Sequence, residues 1–202
     1  MSGERGKKRF VPIALLLSGT LIVFLLAWRL VDSGSIRVQA LIGRAHYCCT
    51  LGELVYGDGT RPMTPEACEV LVLRNDSLSS DDFQTLLSLP NLYIIDLSGC
   101  RFRDKDFAIL ARHKQLRAVV VDQTQDLTSS LNQLKNLRLL SVQGCGMNLD
   151  SLKSLSGLPS LELLCVDTEF VDGVSETLPI RSKLEVTDSI PDFYVLRWGP
   201  RL

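Results

Sequence analysis

The chain has 202 residues, 46% of them hydrophobic, and a formal net charge of −1. That is enough apolar material for one domain with its own core and one further segment. The near-neutral balance argues against a nucleic-acid-binding surface, which needs a basic excess.

The charge is spread unevenly along the chain. Residues 1–9, MSGERGKKR, form a basic tip with four Lys/Arg against one Glu. From Asp32 onward 17 Lys/Arg face 22 Asp/Glu, a net of −5. Between the two lie residues 10–28, FVPIALLLSGTLIVFLLAW, with no charge over 19 positions. As a helix this run spans roughly 28 Å, close to the ~30 Å hydrocarbon core of a bilayer. A cleaved signal peptide has a shorter apolar region, about 7–15 residues, ending in small residues. Here the run ends in Trp28-Arg29, a pair suited to a membrane interface. The expectation is therefore a transmembrane signal anchor over residues 10–31. Lys7, Lys8 and Arg9 would lie in the cytoplasm and the rest of a single-pass protein on the other side of the membrane.

Residues 32–67 read as a juxtamembrane segment and N-terminal cap. They carry the vicinal pair Cys48-Cys49, with His46 close by. Such a pair could bind metal or exchange thiols. Two adjacent ligands make an incomplete metal site, however. A buried apolar pair, or one thiol bridged to another cap residue, is the simpler reading.

Residues 68–190 repeat. Units begin at Cys68, Leu92, Leu116, Leu137, Leu161 and Leu184, with spacings of 24, 24, 21, 24 and 23 residues. The third offset holds Leu71, Ile95, Val119, Leu140 and Leu164, and the fifth holds Leu73, Leu97, Val121, Val142 and Val166. Apolar residues two apart follow the period of a strand. The fifteenth offset holds Phe83, Phe107, Leu131 and Leu152, and the eighteenth Leu86, Leu110, Leu134 and Leu155. A separation of three is close to one helical turn. Each unit is predicted to be a short strand, a turn and a returning helix. One unit cannot bury its own apolar face, but stacked units share a core. In the third unit Asp126 stands at the tenth offset, where Leu78, Phe102 and Met147 stand elsewhere, and Leu127 is expected to substitute by a local slip.

These columns resemble the leucine-rich-repeat family, L-x-x-L-x-L-x-x-(N/C)-x-L, and most closely its cysteine-containing class. The resemblance implies an α/β leucine-rich-repeat solenoid, with a parallel sheet on one face and short helices on the other, here preceded by a single transmembrane helix. It also implies that the eighth column, Asp76, Cys100, Thr124, Cys145 and Glu169, turns the chain with its side chains facing inward. Cys100 and Cys145 then read as small structural side chains that meet backbone groups, and Cys68 as inward. Cys165, at a fourth offset, points out of the sheet and is expected to be the most accessible thiol.

No nucleophile–base pair, phosphate loop or metalloprotease motif stands out. His113, in ARHKQ, is expected to be solvated in a loop. The acidic pairs Asp81-Asp82 and Asp104/Asp106 precede helices, where N-capping and the helix dipole favour them. The chain is accordingly read as non-catalytic, without cofactor or metal and without a nucleic-acid partner.

In the family's architecture the sheet face is the default surface for a protein partner. Its second lane is apolar throughout, Val70, Ile94, Ala118, Leu139 and Leu163, and its fourth adds Val72, Val120 and Cys165 beside Asp96 and Ser141. Exposed, the second lane would be a contiguous stripe of the kind that marks an interaction site. The tail, residues 191–202, has the apolar content to cover it instead. Arg74 of the sixth lane and Arg117 and Arg138 of the first would border the stripe. The reading is a membrane-anchored module that binds a protein partner through this face. The alternative is a structural or scaffolding subunit of a membrane or envelope complex.

Overall fold

A computed structural model describes residues 36–45, 47–49, 64–178 and 184–189. Apart from Ile36, these belong to one compact unit, Arg37–Leu202. Residues 36–44 are helical and bury Val38 and Leu41, three residues apart on one face. Seven described strands follow in the order of the chain: β1 (Tyr47–Cys49), β2 (Val70–Val72), β3 (Ile94–Asp96), β4 (Ala118–Val120), β5 (Leu139–Ser141), β6 (Leu163–Cys165) and β7 (Glu185–Thr187). β1 runs antiparallel to β2, and every later neighbour is parallel.

The register follows the repeat columns. Val70, Ile94, Ala118, Leu139 and Leu163 stand side by side, and so do Leu71, Ile95, Val119, Leu140 and Leu164. The pairing continues from Leu163 to Glu185 and from Leu164 to Val186. That moves the last unit one residue earlier than expected: Val186, not Thr187, takes the third offset. A one-residue shift exchanges the two faces of a strand, so Val186 packs on the core.

Two expectations about the ends of the chain stand differently. Among the described residues no helix is long and apolar enough to cross a membrane. The expected fold class is corrected accordingly: the described residues form a mixed α/β architecture with a seven-stranded sheet and contain no spanning helix. Residues 1–31, with the expected anchor, lie outside the described residues, as does the tail 191–202.

Between strand and helix the chain turns sharply. The seventh offset of each of the first four units is left-handed: Asn75 (φ 54°), Gly99 (68°), Gln123 (57°) and Gly144 (66°). Glycine reaches this region without steric cost and Asn tolerates it. Gly99 and Gly144 are required for a second reason. A Cβ on Gly99 would fall 2.3 Å from the side-chain oxygen of Asn75, and one on Gly144 would fall 3.3 Å from Gln123 Cγ. The side chain of one turn thus lies over the bare backbone of the next. The turns are also bonded to each other: Asn75 N–H donates to Ser98 O, Gly99 N–H to Asp122 O and Gln123 N–H to Gln143 O.

The returning segments are helical, from Ser80–Leu86 to Val171–Ser175. The first has a capping box, with Ser79 and Asp82 each accepting from the other's backbone N–H. That satisfies two of the donors a helix start leaves open. In the 21-residue unit the helix shrinks to Thr128–Leu131. There Leu127 is fully buried while Asp126 is exposed and accepts from Thr128, so the local slip occurs as expected.

All eight residues of the fifteenth and eighteenth offsets are buried, against the third- and fifth-offset side chains of the strands. Phe83, Phe102 and Phe107 form one aromatic group with ring centroids 5.3–6.1 Å apart. Arg44 fastens the N-terminal helix to the first repeat through Asp76, Asp82 and the carbonyl of Ser77.

Candidate functional site

Alternation along each strand sends the third and fifth offsets into the main core and the second and fourth to the opposite side of the sheet. On that opposite side the apolar lane is not exposed. Val70, Ala118, Leu139 and Leu163 are at most 6% accessible, and Ile94 is half-buried. They form two clusters separate from the main core. One joins Ala118, Leu139, Leu163 and Cys165 with Ile94 and Val120. The other joins Cys49 and Val70 with Val72, Tyr93 and Ile94. Of the two readings the sequence left open, an exposed stripe or a covered lane, the lane is found buried.

The reading of Cys165 is corrected. Expected to be the most accessible thiol, it is fully buried. Burial, with Asp122 nearby, pushes its pKa up to about 12. It is therefore a packing residue and a poor nucleophile.

Polar side chains flank the lane, paired across neighbouring strands. Arg74 donates through Nε and a terminal nitrogen to Asp96 Oδ2, at 2.8 and 2.6 Å. Asp96 is buried, while the Arg74 side chain is 55% exposed. Asp122 accepts from Ser141 Oγ and from the Gln143 N–H. Burial raises its pKa, opposed by those two hydrogen bonds. Asp167 accepts from the N–H of Gly144. At the entry side of the strands Arg138 donates twice to Glu162 Oε1, at 2.9 and 2.6 Å. Arg117, in the neighbouring unit, is held by the carbonyls of Lys114 and Leu116. With Glu162 the two arginines border an open groove of about 440 Å³, completed by Asn136 and Pro159. Its net charge is +1, from two guanidiniums and one carboxylate.

The inward thiols take the positions their column implies. Cys100 donates to Leu73 O at 3.1 Å and Cys145 to Val121 O at 3.0 Å, each reaching the fifth offset of the preceding unit. Thr124 makes the shorter bond to Val121 O in its own unit. Both thiols are buried, and burial raises their pKa. Cys49 is buried on the sheet side, whereas Cys48 is half-buried against the main core. His46 lies outside the described residues. Among the described residues no group of three or more His, Cys, Asp or Glu is placed to hold a metal ion.

His113 is not solvated, as the loop reading expected, but buried. Its Nε2 stands 2.9 Å from Leu89 O, and its Nδ1 is buried with no hydrogen-bond partner. That arrangement suits a neutral ring that donates from Nε2. Protonation would add a buried N–H with no acceptor, and desolvation lowers the pKa of the group. The unfolded chain, with its His pKa near ~6.5, therefore takes up the proton first as the pH falls. The stabilisation by the neutral ring is fully present above that pH and declines below it. In urea unfolding at about pH 7 and about pH 5, His113→Gln should lose less stability on acidification than the wild type. The same loss in both would show that His113 does not contribute to the acid sensitivity.

No protein-family model matches the chain, and no curated protein matches it.

Proposed function

We propose that the chain is a leucine-rich-repeat recognition module that binds a protein partner through the sheet side and performs no chemistry of its own. The observation that carries this reading is the arrangement of that side: a buried apolar lane, with paired polar side chains at and beside the strand ends along both flanks. Ion pairs fixed by their neighbours lose little freedom when a partner docks. Because the lane is buried, contact is made by the rim. The groove beside Arg117 and Arg138 suits a partner segment that carries a carboxylate.

Arg117→Glu combined with Arg138→Glu tests the reading. Proteins recovered with the full-length chain would be compared before and after the change, together with thermal unfolding of each purified form. A particular partner present with the wild type and lost from the variant, at a melting temperature lowered by only a few degrees, supports recognition. Recovery of the same partners in the same amounts would show that the rim is not the binding surface. A scaffolding block predicts that second result, because its contacts are spread over the whole module.

A further inference from the structure

We propose that Cys48 and Cys68 are a disulfide-forming pair, a redox-controlled clasp that locks the antiparallel cap strand β1 onto the first parallel strand. The inference is independent of the binding function above. The pairing of β1 with β2 sets Cys48 opposite Leu71 and Cys49 opposite Val70. The Glu69 N–H donates to Cys49 O, extending the ladder to the residue after Cys68. Alternation then separates the two vicinal thiols. Cys48 shares the core side with Cys68, while Cys49 lies in the cluster on the other side of the sheet. The Sγ atoms of Cys48 and Cys68 stand 2.7 Å apart, across 20 residues of sequence. Both are thiols in the structure. A disulfide bond of about 2.05 Å needs only a small approach from there.

Unequal exposure orders the chemistry. Cys48 is half-buried and Cys68 fully buried, its thiol made harder to ionise by its neighbour and by burial. The co-reactant is a small disulfide such as oxidised glutathione. Cys48 gives its proton to solvent, its thiolate attacks one of the sulfurs, the disulfide bond breaks, and one glutathione leaves as the thiolate and takes up a proton. Cys68 then gives up its proton and attacks Cys48 Sγ. The bond between the two cysteines forms, and the second glutathione leaves with the proton. Two protein thiols are oxidised and one small disulfide is reduced to two thiols. The closed loop removes freedom from the unfolded chain and fixes the cap at one edge of the sheet.

Purified full-length chain, reduced and then incubated with oxidised glutathione, would be alkylated, digested and mapped by mass. The expected product is a peptide pair linked through Cys48 and Cys68, with a melting temperature raised by roughly 5–10 °C and restored by dithiothreitol. Cys49→Ser should form the same link, and Cys68→Ser should stop at glutathione on Cys48. Pairing through Cys49, a persistent glutathione adduct on wild-type Cys48, or six unmodified thiols would each overturn the pair. A mapped link that leaves the melting temperature unchanged would overturn the clasp. The mapping needs only the wild-type chain, so misfolding of a variant does not undermine it.

Discussion

Leu139→Glu combined with Leu163→Glu is expected to lower the melting temperature by on the order of 10 °C. Leu163 is fully buried and Leu139 is 6% accessible, both in the cluster with Ala118 and Cys165. The side chains around the two leucines in that cluster are apolar, and the nearby Asp122 already has its pKa raised by burial. Two new carboxylates would each face desolvation and a like charge. Even after partial relief by protonation the cost should be at least about 4 kcal/mol. In a domain of this size each kcal/mol moves the midpoint by about 2–4 °C. The pH dependence supplies a second check. A buried Glu has a raised pKa, so the deficit relative to the wild type should shrink as the pH falls toward about 5. Unchanged melting with lost partner binding would mean that the lane is open in solution and is itself the contact surface.

Cys145→Asp should cost about 3–5 kcal/mol, whereas Cys145→Asn should stay within about 1 kcal/mol of the wild type. The position is 5% accessible, and its thiol points at the carbonyl of Val121, with that of Gln143 at 3.7 Å. The thiol donates to those oxygens. A carboxylate can only accept, so an anion would face carbonyls with its charge uncompensated. An amide of similar size offers two donors to the same oxygens. Urea unfolding of both variants, and of the matching pair at Cys100, which donates to Leu73 O, separates charge from volume. Equal stability of the Asp and Asn forms would remove the inward ladder as the explanation of the cysteines.

The strand–helix repeat was legible because it rests on two short periods. The third and fifth offsets supply the strand's inner face, and the fifteenth and eighteenth supply the inner face of the helix. All eight residues at the latter two offsets are in the core. The left-handed turn was visible only in part: Gly99-Cys100 and Gly144-Cys145 announce it, while Asn75 and Gln123 adopt the same conformation without a glycine. The register of β7 was misplaced by one residue, because Leu184 and Val186 are both aliphatic and either can be aligned with a core column.

What the chain's own pattern determined, then, is which residues enter the core of each repeat, since that follows from local periods of two and of one helical turn; the inward direction of the eighth-column thiols was implied by the family resemblance instead. What only the tertiary structure decided is exposure and cross-strand proximity. Cys165 and Leu163 point away from the repeat core and yet are buried. His113 is packed against the carbonyl of Leu89, 24 residues earlier. Cys48 meets Cys68, and not its vicinal neighbour's side of the sheet, because an antiparallel strand pairing sets the faces. Each depends on a contact between residues about 20 or more apart in sequence. A local period says which way a side chain points, not what it meets there.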